Sequence, residues 1–165
     1  RQRQMCIRDS IKPHGSLYGV SAKEEDVANG IADAAEIFNV GIFGMVNTFH
    51  EKVYKERGIK FYGEFYSDLE YDETGYLVIA KGRNQYYPTD RAVERCMRAI
   101  KEKKVQTIQG NDVDVGCETI CVHSDTPNAI EILKALRDNI SSKKNSSEKS
   151  TNGNHSKMPY IIDKK

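Results

Sequence analysis

Val40-Gly41-Ile42-Phe43-Gly44-Met45-Val46 is an unbroken apolar run with helix-type sequence on either side, and it limits the fold more than any other stretch. A strand with no apolar–polar alternation has no face for water, so it must be covered on both sides. Before it, residues 21–38 set Ala22, Val27, Ile31, Ala34, Ala35 and Phe38 near one helical face. Ser21 is placed to N-cap that helix, and Glu24, Glu25 and Asp26 suit its positive end. A short polar helix over residues 49–57, ended by Gly58, follows the run, and residues 59–66 form the next strand. Helices between buried strands specify an α/β protein with a parallel sheet.

The pattern continues downstream. Asp72-Glu73-Thr74-Gly75 is a turn signal, so residues 69–71 and 76–79 form a small hairpin. After Pro88, Thr89 or Asp90 caps a helix whose inner face is Ala92, Val93, Cys96 and Ile100. Residues 105–108 and 118–122 read as strands. Thr126 then serves as N-cap with Pro127 at the first helical position, and Ala129, Ile130, Leu133 and Leu136 face inward. About four β/α units result, whereas a closed barrel needs about eight strands and roughly 250 residues. The expected architecture is an incomplete (β/α) barrel.

Both ends differ from this core. Residues 1–10 lack any amphipathic period and read as a non-native leader of sequencing-adapter type. Residues 141–165 are rich in Ser, Lys and Asn and read as a disordered polar tail. The folded part is therefore expected over residues 11–140. With 25 basic and 24 acidic residues there is no field to attract nucleic acid or an acidic membrane. No apolar run is long enough to span a bilayer as a helix. Cys6, Cys96, Cys117 and Cys121 are expected as free thiols in a cytoplasmic protein. Cys117 and Cys121, four apart on a strand, lie too far from each other to share a zinc ion.

Two motifs carry the chemistry. Lys12-Pro13-His14-Gly15-Ser16-Leu17-Tyr18 and Cys121-Val122-His123-Ser124-Asp125-Thr126-Pro127 each set a histidine where strand gives way to helix. In α/β proteins that junction is the C-terminal rim of the strands, where ligands bind. With Gly63-Glu64-Phe65-Tyr66-Ser67-Asp68, running on to Tyr71, and Gly75-Tyr76-Leu77-Val78, they resemble the LamB/YcsF (lactam utilisation) family in order and interval. That family includes the A subunit of the ATP-dependent 5-oxoprolinase.

The resemblance covers residues 11–140, the C-terminal portion of such a protein, and implies a barrel of the seven-stranded, NodB-like glycoside hydrolase/deacetylase type. It further implies hydrolysis of 5-oxo-L-proline to L-glutamate with ATP and Mg²⁺, and the B and C subunits of 5-oxoprolinase as partners; no His-x-x-x-His spacing supports a tightly bound metal. The family's acidic first-strand motif and Cys-Gly-x-His segment have no counterpart here, which implies that this fragment alone is inactive. Leu69 stands where many members carry arginine, and Ser124 where glycine is common.

The candidate catalytic residues are His14, His123, Asp68 and Asp125, with Lys12, Tyr18, Glu64 and Tyr71 binding substrate or ATP. Lys12 suits a phosphate or oxyanion, either histidine suits a proton shuttle, and Asp68, Glu64 and Asp125 suit holding Mg²⁺ with ATP or orienting water. Each also has a plain structural reading: a surface lysine, loop histidines, a structural ion pair at Glu64, packing tyrosines, and N-capping by the Ser124–Pro127 segment. His50, at another strand end, is the weaker candidate. Two further functional readings are a metal-dependent polysaccharide deacetylase or glycan hydrolase on the same barrel, with His14, His123 and Asp125 as ligands, and a non-catalytic partner-binding member.

Overall fold

The computed structural model describes residues 9–79, 85–147 and 160–163. The chain divides into two compact units, Arg1–Gly63 and Glu64–Lys165. In the first, β1 (Ser10–Ile11) leads through α1 (Ser16–Lys23) and α2 (Glu25–Phe38) to β2 (Gly41–Gly44) and then through α3 (Phe49–Glu56) to β3 (Phe61–Tyr66), which runs on into the second unit. β1 pairs parallel with β2, and β2 with β3 in the register Ile42 opposite Phe61 and Gly44 opposite Gly63. Every residue of β2 is buried, as its unbroken apolar run requires. Ser10, the last residue of the expected leader, pairs in this ladder, and residues 1–8 lie outside the described residues.

The expected helix over 21–38 is two helices that meet at Glu24, whose backbone is extended. Ser21 is therefore not an N-cap. It is buried in α1, its hydroxyl donating to the Leu17 carbonyl at 2.7 Å. The buried face of α2 is Ala28, Ala32 and Ala35, packed with Ile42, Val53 and Tyr54, while Phe38 is 72% exposed. Alanines offer less apolar area than Phe38, yet they let the helix approach more closely. Asn39, in the left-handed conformation, ends α2 by donating its N–H to the carbonyls of Ala35 and Glu36. Gly44 serves a similar closeness: a Cβ there would lie 2.7 Å from His50 Cβ and 2.9 Å from the Phe61 ring.

The second unit begins with the remainder of β3, which pairs parallel with β8 (Thr119–His123). β8 also pairs parallel with β9 (Tyr160–Asp163). Between them lie the hairpin β4 (Glu70–Tyr71) and β5 (Leu77–Val78), α4 (Thr89–Glu102), and β6 (Lys104–Gln106) with β7 (Asp112–Asp114). α5 (Ala129–Ser147) follows β8. The β4–β5 hairpin turns where Asp72 and Gly75 predicted it. The strand expected at 105–108 is one arm of an antiparallel hairpin with β7, closed by Gly110 at φ 92°. It is not a further parallel strand.

Both expected helix caps in this unit take other work. Thr89 lies inside α4 and its hydroxyl donates to Glu131, while Pro88 occupies the cap position. Thr126 and Pro127 precede α5, and the Thr126 hydroxyl goes to Asp68. Inner faces are rotated as well: Arg95 and Ala99 are buried on α4 beside Ala92 and Cys96, and Ile132 on α5 in place of the exposed Ile130. α5 runs through Ser147, and β9 falls within the stretch that reads as a polar tail; residues 148–159 lie outside the described residues. The result is an α/β fold with parallel strand pairs joined through helices, in keeping with part of a barrel.

Candidate functional site

Register builds the site in the second unit. Tyr66 on β3 stands opposite Cys121 on β8, and the strands are parallel. Two residues further on at the same end lie Asp68, just past β3, and His123, the last residue of β8. The Asp68 side chain is fully buried and the His123 side chain 9% exposed. Asp68 Oδ1 accepts from the His123 ring at Nδ1, 2.8 Å away, and Oδ2 accepts the His123 backbone N–H at 2.9 Å and the Thr126 hydroxyl at 2.6 Å.

This geometry fixes protonation as well as position. Burial pushes the Asp68 carboxyl up, but the His123 ring, the Thr126 hydroxyl and the His123 N–H together outweigh it and hold the group below the ordinary carboxylate range. An ionised Asp68 accepts a hydrogen bond from the proton carried on Nδ1, so the neutral ring keeps its lone pair on Nε2. An imidazole held this way by a buried carboxylate is oriented to accept a proton at Nε2 and return it. The Tyr66 ring stacks on His123 with centroids 5.4 Å apart, and its hydroxyl donates to Glu64 at 3.0 Å. Tyr71 is fully buried and its hydroxyl accepts the Tyr66 N–H at 2.9 Å. Burial pushes that phenol above its usual range, so it stays neutral.

The second unit thus holds Glu64, Asp68, Tyr71, His123 and Asp125, the last half-buried in the turn after β8. Lys12, His14 and Tyr18 belong to the first unit, where His14 is exposed and the Lys12 ammonium lies 5.7 Å from the Tyr18 ring centre. His50 is structural. It is fully buried, Nδ1 accepts from Met45 N–H at 3.2 Å, and Nε2 donates to Ser21 Oγ at 2.7 Å. Burial lowers its pKa to about 4, so it is neutral throughout the physiological range.

Three donors at Asp68 leave this carboxylate little capacity for a cation. Among the described residues no three His, Cys, Asp or Glu side chains gather as a metal site. Cys96, Cys117 and Cys121 are buried, and none of the three is in a disulfide. No helix among the described residues is long and apolar enough to cross a membrane. Sequence reading missed two participants, Thr126 and Arg95. Thr126 was legible only as a cap, and Arg95 only as one charge on an amphipathic helix.

The LamB/YcsF family model matches residues 4–155. The 5-oxoprolinase A subunit of Oceanobacillus iheyensis is 35% identical over 129 residues, covering 76% of this chain and 50% of that protein. The protein of the same name from Alkaliphilus metalliredigens is 36% identical over 133 residues, covering 79% and 52%. The crystal structure of the lactam utilization protein from Thermus thermophilus superposes with a TM-score of 0.70 at 26% identity, over 81% of this chain and 54% of that one. The chain spans about half the length of the curated relatives it matches.

Proposed function

The chain belongs to the LamB/YcsF family, and we propose from that membership that it serves in hydrolysis of the cyclic amide 5-oxo-L-proline to L-glutamate. Relatives named as the A subunit of 5-oxoprolinase support the substrate class. The observation that carries the chemistry is the imidazole of His123 held by the buried Asp68 carboxylate.

A lactam resists water because its amide is resonance-stabilised. In this reading ATP gives its terminal phosphoryl group to the amide oxygen, releasing ADP, and the ring carbon becomes electrophilic. Water adds to that carbon, the ring C–N bond breaks as nitrogen gains a proton, and a second water releases phosphate. His123 Nε2 takes the proton from water and delivers it to the leaving nitrogen. Asp68 stabilises the imidazolium and takes no proton itself.

On the motif resemblance, His14 and Asp125 enter the proposal as further catalytic residues, and Lys12, Tyr18, Glu64 and Tyr71 as residues that bind substrate or ATP. Magnesium arriving with ATP takes most of its ligands from phosphate and water, so no step is assigned to a resident metal. The B and C subunits as partners, and a seven-stranded NodB-like barrel, belong to the same proposal.

The test is ATP-dependent release of glutamate from 5-oxo-L-proline by the intact protein with the B and C subunits supplied. His123→Ala is expected to lower turnover by roughly a hundredfold or more while the far-ultraviolet spectrum stays native. Absence of ATP-dependent glutamate in the complete mixture, or wild-type turnover in the variant, overturns the reading.

A further inference from the structure

Arg95 sits on α4 with its side chain only 9% exposed, an expensive place for a charge. Its nearest carboxylate, Glu70, is 3.8 Å away, and among the described residues its Nε has no hydrogen-bond partner. Hydrophobic packing at this position would cost less. What the guanidinium does contact is the backbone on either side of Asp68: Nη1 donates to the Ser67 carbonyl at 3.3 Å and Nη2 to the Leu69 carbonyl at 2.7 Å. The planar fork therefore fixes the peptide that leads into Asp68 and the one that follows Leu69, one on each side of the carboxylate's short segment.

The clamp is itself held. Nη1 also donates to the Tyr87 hydroxyl, and the rings of Phe65, Tyr71 and Tyr87 each lie 5.8 Å from the guanidinium carbon. Asn128 pins the Tyr87 backbone, accepting its N–H at 3.2 Å and donating to its carbonyl at 2.8 Å. Two residues before Asn128, Thr126 returns to Asp68 at 2.6 Å. A closed circuit runs from Asp68 through Thr126, Asn128, Tyr87 and Arg95 back to the carbonyls of Ser67 and Leu69, the neighbours of Asp68.

We propose that Arg95 is a positioning residue: its two-carbonyl grip on Ser67 and Leu69 holds the Asp68 carboxylate in the plane that keeps His123 as the Nδ1–H tautomer. The consequence for turnover rests on the acid–base reading of His123, whereas the consequence for the tautomer does not.

The experiment reads the ring nitrogens of His123 by ¹⁵N NMR in the chain, beside turnover in the intact protein with its partner subunits. Arg95→Lys retains the charge but, as a point donor, cannot span both carbonyls. It is expected to stay folded, to populate the Nε2–H tautomer absent from wild type, and to lower kcat about tenfold with KM unchanged. Tyr87→Phe, which removes only the outer support, is expected to give the same change in smaller degree and answers the question should Arg95→Lys not fold. A folded Arg95→Lys, or failing that Tyr87→Phe, with His123 still wholly Nδ1–H defeats the proposal, whatever the activity. A tautomer change in a protein without 5-oxoprolinase activity leaves Arg95 as assigned and removes the substrate reading alone.

Discussion

Asp68 holds His123 at two points, ring Nδ1 at 2.8 Å and backbone N–H at 2.9 Å. One carboxylate thus fixes both the direction in which β8 ends and the orientation of the imidazole that ends it. Asp68→Asn breaks this pairing with little change of volume, because an amide presents a donor as readily as an acceptor and permits the wrong tautomer. Turnover is expected to fall by a hundredfold or more with KM nearly constant. A KM rise at constant kcat would instead place Asp68 in substrate binding.

Thr126→Val removes one of the donors that hold the Asp68 carboxyl down. The folded pKa lies below the ordinary 3.8. Above 3.8 the stabilisation is therefore complete, and it is lost as pH falls through the depressed folded value. In the variant that loss is expected to begin at the same pH, set by the unfolded carboxyl, but to be smaller and complete at higher pH. Urea midpoints between pH 5 and pH 2.5 check it, and superimposable profiles would contradict the assigned bond.

His50 gives an acid sensitivity of different origin. Its pKa is 6.5 when unfolded and about 4 in the folded chain, because burial disfavours the charged ring. As pH drops from 6.5 to 4 the unfolded state binds a proton that the folded state refuses. Stability should decline across that window by on the order of 3 kcal/mol. His50→Gln, neutral at every pH, is expected to be weaker at pH 7 yet flatter from pH 7 to pH 4.5. An equally steep decline in the variant would locate the sensitivity elsewhere.

Gly44→Ala puts a methyl group 2.7 Å from His50 Cβ, and backbone must shift to admit it. A loss of about 1–3 kcal/mol is expected, read as a lower urea midpoint. Unchanged stability would mean that α3 is free to move away from β2.

Cys96 and Cys117 are buried, and burial pushes the Cys117 thiol up to about 12 and Cys96 well above its usual value. Neither should supply thiolate at pH 8. Alkylation by iodoacetamide is expected to be at least about a hundredfold slower in the native protein than in denaturant. Rapid native labelling of either would place it outside the packed layer.

The fold was legible where one signal had one physical meaning. The run through Ile42 and Phe43 is wholly apolar and became a strand covered on both faces. Asp72 and Gly75 could only turn. Reading failed where a residue had two uses for the same atoms. Ser21, Thr89 and Thr126 all looked like helix caps, yet each hydroxyl bonds elsewhere: to Leu17, Glu131 and Asp68. The inner face of α2 was misjudged because alanine spacing and larger apolar side chains fit overlapping helical stripes, and only packing against Ile42 and Tyr54 chose between them.

The linear chain settled which groups were available: a carboxylate ending β3, a histidine ending β8, and an α/β alternation that brings such ends to one edge. Side-chain type and period are local properties, so they survive in one dimension. Tertiary structure decided the rest, namely that Tyr66 meets Cys121, that Asp68 consequently meets His123, and that an arginine from α4 grips the carbonyls of Ser67 and Leu69. Those pairings depend on strand register and helix approach, which arise from contacts between residues distant in sequence.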